Sequence, residues 1–459
     1  MGTRDGGHRR RLGSLTWGVG LVVSATLLGC GDASTGPESS PPPELPPQPP
    51  PPCVITSFLF EPPFSTVHTG RSTQPPLTIT HQNCDSVVVT FSTEDSTIAS
   101  VSQDGVVTGV WPGVVYIMAH VGEFETSCLV TVRPWHPSGP LKFSHLPVDP
   151  AQVSGFLGLG NLNVLPEDHG GFLFPPGDWG KPLIIPVYAL ADGWIDAITS
   201  DDRSFGRDLS MHIRYSTTIV TNYGHMPDLS PEIWAAAGDL PWGATKVDIP
   251  VRAGQVVGYA WPGGALDFYI GDDDLQLGFL NPGRYPYPWL KTGYYFDYFK
   301  EPQRSQLLAI TIRQDEPRGG RVDFDVAGKI IGNWFVEGTT EWDDTAQLAI
   351  VYDFVDGTKI AISDGSMVSH NPRVDAEVYW IEGNAPRPED VGPGYGLVKY
   401  EIRQRWFKNT TYRQHVTGDI IGTFLVEMTA PGSIRVEKVL GKRAHEVAGF
   451  SGAARVYVR

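Results

Sequence analysis

The sequence predicts a chain built mainly of β-structure, and three observations predict it. Forty prolines and fifty-two glycines among 459 residues interrupt the chain too often for long helices. Between them, short apolar runs alternate with polar residues at a period of two, as where Leu266, Phe268 and Ile270 face away from Asp267 and Tyr269. Turn dipeptides separate these runs, among them Asp104-Gly105, Pro112-Gly113, Gly263-Gly264 and Asp356-Gly357. The length predicts about three domains at roughly 150 residues each. A net charge of −16 and a pI near 5.1 argue against nucleic acid or an anionic membrane surface as the main partner.

Residues 1–29 read as an export signal. Arg4, Arg9, Arg10 and Arg11 precede an apolar run, residues 15–28, that is too short for a typical membrane-spanning helix. The run ends in Leu27-Leu28-Gly29-Cys30, which resembles the lipobox of bacterial lipoproteins. That resemblance implies a lipid on the Cys30 thiol, and acyl chains contribute about 0.8 kcal/mol of membrane binding per buried methylene. It also implies a membrane-anchored protein of the cell envelope, with Gly31 favouring the outer membrane or cell surface over the inner membrane. Residues 30–52 then form a tether, whose PPPELPPQPPPP run holds an extended polyproline conformation.

Residues 53–133 alternate in short runs broken by Gly, Asp and Ser. The stretch from VVVTFSTEDSTIASV to ETSCLVTV resembles a bacterial immunoglobulin-like domain of group 2, which implies a sandwich acting as stalk or adhesive module. With Cys30 lipidated, Cys53, Cys84 and Cys128 remain as disulfide candidates, enough for one bond and one odd thiol. Spacing leaves the pairing open.

In residues 141–313 the organising stretch is 251–270, VRAGQVVGYAWPGGALDFYI, which reads as two strands around Gly263-Gly264. Before it come HGGFL at 169–173, IPVYALADGWI at 185–195 and TIVTNYGHM at 218–226. The order and spacing of these pieces resemble the lysostaphin-like zinc peptidases of bacterial cell walls, which implies a lysostaphin-like β-sheet or barrel. In that family His, Asp and His hold a zinc ion whose bound water becomes hydroxide near neutral pH, and two further histidines handle protons and the oxyanion. Carried over, the resemblance makes His169 and Asp267 the metal ligands and His225 the catalytic histidine. It also shows departures: Leu173 stands at the aspartate position, Ala265 at the catalytic position of the His-x-His pair, and Asp267 at its metal-binding position. In a zinc reading the set is completed by Asp168 or by one of Asp272, Asp273 and Asp274. Trp179, Trp194, Trp234, Trp242 and Trp261 offer either core packing or ring platforms for a sugar or peptide. The aromatic segment 282–302 either walls the cleft or packs this domain against the next.

Residues 314–459 read as a β-rich C-terminal domain, with a hairpin at Asp356-Gly357. DVAGKIIGNWFVEG at 325–338 returns ninety residues later as HVTGDIIGTFLVEM at 415–428. Val326, Gly328, Ile330, Ile331, Gly332, Val336 and Glu337 recur, which predicts two equivalent strands of a barrel or sandwich, with Glu337 and Glu427 at surface strand ends. The first functional expectation is a noncatalytic envelope lipoprotein, without zinc, that binds peptidoglycan or an envelope protein and touches the membrane through Cys30. The alternatives are a zinc metalloendopeptidase acting on peptidoglycan cross-links and an adhesive or structural surface protein.

Overall fold

Short strands make up most of the regular structure in the computed structural model, which describes residues 51–135, 141–177, 185–203, 206–365, 377–407 and 415–459. The expected signal peptide, Cys30, nearly all of the tether and Trp179 lie outside the described residues. Val54–Arg459 form one compact unit, distinct from Met1–Cys53.

In the first part of that unit, Gly113–Val121 and Phe124–Arg133 form a hairpin, joined on its outer edges by Phe64–His68 and Thr90–Thr93. Period two places Val115, Ile117 and Ala119 on the face that meets Val130, Val132 and Cys128. Asp104-Gly105 does make the expected hairpin, between Ala99–Val101 and Val107–Gly109. Gly105 has a φ of 76° there, and a side chain would strike the Phe91 ring. Cys53 and Cys84 are disulfide-bonded, and the odd thiol is Cys128, buried in this core.

The central part is an open seven-stranded antiparallel sheet. Its spatial order is Gly155–Leu157, Gly170–Leu173, Ala265–Asp272, Ile219–Met226, Gly206–Arg214, Gly193–Arg203 and Gly243–Val251. A smaller sheet packs Val256–Ala260 between Ile185–Tyr188 and Asp228–Leu229. The two strands flanking Gly263-Gly264 are therefore present but belong to different sheets. The turn between them is tied to the Phe174–Pro175 segment, because Gly263 N–H donates to Pro175 O and Phe174 N–H donates to Gly264 O. These bonds redirect the chain onto the Gly170–Leu173 strand.

The C-terminal part is a closed barrel of eight strands: Gly332–Val336, Gln347–Tyr352, Ile360–Asp364, Glu377–Ile381, Val398–Phe407, His415–Ala430, Ser433–Leu440 and Arg455–Val458. Its interior is filled by side chains such as Trp334, Ile350, Tyr400, Phe424 and Tyr457. On the first four strands the alternate residues, Phe335, Ala349, Val351, Ala361 and Trp380, join the core of the central sheet instead. Both faces are thus buried, which explains why QLAIVY is apolar almost throughout. The two echoing segments each contribute a barrel strand, but only from Gly332 onward in the first copy, whereas the second is strand from His415. The Asp356-Gly357 hairpin has a long connection, 353–359, because Asp353 turns inward to pair with Arg405 at 2.6 Å, both side chains being buried. Among the described residues no helix is long and apolar enough to cross a membrane.

Candidate functional site

The site is built around Asp267, at the middle of the Ala265–Asp272 strand. Its register partners are Gly171 on one side and Gly224 on the other. Two neighbours without side chains leave a trough around the carboxylate; a Cβ on Gly224 would come within 3.2 Å of the Asp267 Cβ. His169 stands just before the first glycine pair and His225 just after the second glycine. His225 takes a φ of 63°, a left-handed backbone that costs a branched-at-Cγ residue about 1 kcal/mol or more and that turns its ring over the trough.

Both rings aim at one oxygen. His225 Nε2 lies 2.9 Å and His169 Nε2 3.6 Å from Asp267 Oδ2. From behind, each ring is held at Nδ1 by a buried carboxylate, His169 by Asp168 at 2.8 Å and His225 by Asp208 at 2.9 Å. Glu167 Oε2 lies 3.9 Å from His169 Nε2 and accepts a hydrogen bond from Asn161. Beneath the site the buried Tyr295 hydroxyl accepts from Gly170 N–H at 2.5 Å and donates to Phe268 O at 2.6 Å, which fastens the His169 strand to the Asp267 strand.

These carboxylates keep both imidazoles protonated at neutral pH. Burial works against charge on His169, but the hydrogen bond to Asp168 and the charges of Asp267, Glu167 and Asp168 outweigh it and push its pKa up to about 9. The hydrogen bond to Asp267 is the largest influence on His225; against the opposing effect of burial it and the charges of Asp267 and Asp208 also raise the pKa to about 9. Burial raises the carboxyl of Glu167.

A groove of about 380 Å³ runs from His169 and Asp267 across the sheet face to His212 and Arg214 on one side and Tyr269 and Tyr287 on the other. This volume suits a small ligand or a peptide segment. A second couple sits at its edge, where His212 Nδ1 bonds Asp196 and Arg214 Nε lies 3.4 Å from the same carboxylate. Burial alone would raise the Asp196 carboxyl, but His212 and Arg214 together hold it below the ordinary range.

The three expected site residues, His169, His225 and Asp267, thus meet. The expected completions do not. Asp168 lines the groove but is engaged with the rear nitrogen of His169, Asp272 accepts from the Tyr298 hydroxyl, Asp273 accepts from that of Tyr287, and Asp274 does not line the groove. Leu173 is buried with Leu157, Ile312, Phe354 and Val355, and Ala265 packs against the same cluster. Two of the five positions where the peptidase resemblance requires chemistry are therefore apolar and packed together. Among the described residues no three His, Cys, Asp or Glu side chains are placed to hold a metal, and Leu173 and Ala265 supply no donor. The residues present do not fit the three-ligand zinc site of that family.

None of the described tryptophans expected as platforms lines the groove. Trp194 is buried, Trp234 is half-buried, and Trp242 and Trp261 are exposed elsewhere. Segment 282–302 does both things expected of it: Tyr287 and Pro288 wall the groove, while Tyr285 and Trp289 pack on Phe335 and Trp342 of the barrel part. Sequence reasoning missed Asp208, His212, Arg214, Asp196 and Glu167. A signal for the first three was present, because Asp208, Ser210, His212 and Arg214 alternate with the apolar Leu209, Met211 and Ile213.

Comparison with known proteins gives one family match: residues 54–131 match the bacterial Ig-like domain (group 2). No curated protein matches the chain. Several solved structures are similar to parts of it, among them these three. A zinc-containing peptidase from Vibrio cholerae shares 18% identity over 34% of this chain and 47% of its own, with a TM-score of 0.21, so this chain spans under half its length. The catalytic domain of a mutant of the prophage-encoded M23 protein EnpA from Enterococcus faecalis shares 18% identity over 35% of this chain and 86% of its own, at 0.16. Domains 5–6 of the S-layer protein SbsC share 14% identity over 43% of this chain and 97% of its own, at 0.17. Likenesses this partial assign no activity.

Proposed function

We propose that the chain is an envelope lipoprotein whose central part recognises the peptide portion of peptidoglycan without cleaving it. In this reading the lipid on Cys30 anchors the protein and the Ig-like domain holds the groove away from the membrane. The observation that carries the reading is the closed set of partners around Asp267: both Nε2 atoms face its carboxylate, His225 at 2.9 Å and His169 at 3.6 Å, while Leu173 and Ala265 are apolar. A sheet-face groove lined by Ser210, Asn222, Arg214 and Tyr269 supplies the mixed donors and acceptors that an extended peptide needs.

The test is sedimentation of the mature chain with purified peptidoglycan, wild type beside Asp267→Ala, together with mass spectrometry of the supernatant and elemental analysis of the protein. Co-sedimentation that weakens in the variant, with no released peptides, supports the proposal. A second reading, a zinc endopeptidase with an altered ligand set, is favoured by the carboxylates behind His169 and His225, since ligating histidines are oriented in this way. About one zinc per chain, lost in His169→Ala and Asp267→Ala, with released cross-link peptides, would replace the first reading by the second.

A further inference from the structure

A second, smaller pocket lies beyond Glu167, where the central part meets the barrel. It has a volume of about 130 Å³ and is lined by Asn163, Glu167, Trp289, Trp342, Asp344 and Gln347. We infer that this pocket is a subsite for an amide-bearing pyranose sugar of the N-acetylhexosamine class.

Gln347 supplies the first argument. Its side chain is 1% exposed, and neither its amide nitrogen nor its amide oxygen has a hydrogen-bond partner among the described residues. A buried primary amide without partners is costly, so a ligand that both donates to and accepts from it gains what the fold leaves unmet. An acetamido group does both in one plane.

The indoles supply the second. Trp289 and Trp342 stand with ring centroids 5.0 Å apart at 52°. Trp289 Nε1 donates to Pro166 O at 3.0 Å, which fixes the edge of that ring and leaves its face as packing surface. Trp342 is 37% exposed. The exposed surface of Trp342, backed by Trp289, suits the apolar face of a sugar ring, whose hydroxyls then meet the carboxylates of Glu167 and Asp344 and the amide of Asn163. No lysine or arginine lines the pocket, which argues against a phosphate or carboxylate ligand.

Size agrees with the class. At about 30 Å³ for each water, a pocket of about 130 Å³ has room for an acetamido group and part of its sugar ring, with the rest of the ring at the mouth. The inference does not rest on what the larger groove binds, although Glu167 of the pocket lies 3.9 Å from His169 of the groove and a glycan carrying a peptide could reach from one to the other.

The test is isothermal calorimetry of the mature chain with chitotriose, with cellotriose as the sugar lacking acetamido groups. The expected result is saturable binding of chitotriose, weaker binding of cellotriose, and affinity reduced about tenfold or more in both Trp342→Ala and Gln347→Met. Trp342 is exposed, so its variant folds whether or not the buried Gln347 variant does. Asp267→Ala is expected to bind chitotriose as the wild type does. No saturable binding by the wild type, or binding that survives Trp342→Ala and is lost in Asp267→Ala, would overturn the inference; the latter outcome would put the sugar in the larger groove.

Discussion

Replacing Asp267 by asparagine keeps the shape of the trough and removes the charge that both imidazoles share. The pKa of His225 rises from 6.5 to about 9 in the fold, a difference of 2.5. At about 1.4 kcal/mol per pH unit this corresponds to ~3 kcal/mol, and with the rings about a third exposed solvent screening reduces it to ~1–2 kcal/mol. Asp267 is the largest influence on His225, whereas for His169 the hydrogen bond to Asp168 precedes it. Asp267→Asn should therefore lower the pKa of His225 more than that of His169, which nuclear magnetic resonance titration of the histidine ring protons reads directly. Because the folded pKa lies above the unfolded one, the stabilisation is complete below about pH 6.5 and disappears as pH rises through about 9. The melting-temperature gap between wild type and variant should accordingly be widest in mild acid and close in alkali. Wild-type histidines that both titrate near 6.5, or a variant that leaves both near 9, would refute the geometry.

Other expectations follow from particular contacts. Tyr295→Phe removes a buried hydroxyl that serves Gly170 N–H and Phe268 O, and should cost ~2–4 kcal/mol in denaturant unfolding. Asp353→Ala removes the carboxylate that pairs with the buried Arg405 at 2.6 Å and also strips the Trp380 indole N–H of its acceptor at 2.9 Å; a loss of ~3–5 kcal/mol is expected by the same assay. Leu173→Asp places a carboxylate against Ile312 and Phe354, and should lower the melting temperature in metal-free buffer. Zinc should recover part of that loss in the variant and give no gain in the wild type. A zinc-dependent gain in the wild type would show that the native donors already suffice.

The β-class was legible because it follows from local rules, whereas the grouping of His169, His225 and Asp267 came only from what the resemblance to the lysostaphin-like peptidases implies. Alternation placed Asp267 on the face opposite Leu266 and Phe268, and pairing then sets it between Gly171 and Gly224. The histidine partners were not legible, because Asp208 reaches His225 only through strand pairing, and nothing local in GRDLSMHIR says which neighbour it meets. The destination of the Val256–Ala260 strand was hidden for a related reason: a Gly-Gly turn looks the same in a hairpin as in a chain that changes sheets. Gln347 was invisible, since a glutamine at the start of an apolar strand reads as a surface residue until both faces of that strand are found buried.

The protonation of the two histidines decides whether this groove holds a ligand or attacks it. Attack on a peptide needs a base or a metal-bound hydroxide, and an imidazole serves as base only through an unprotonated nitrogen. With both pKa values at about 9, only about one ring in a hundred is neutral at pH 7, and Nδ1 of each remains occupied by Asp168 or Asp208. The backbone supports holding as well, because Tyr295 and the flanking glycines fix the strands so that the carboxylate and rings stay in register. Incubation with cross-linked peptidoglycan fragments at pH 7 is therefore expected to yield binding without cleavage. Cleavage at pH 7 that His225→Ala abolishes would show that the ring titrates far lower than its surroundings require, and the account of the site would fail at that point.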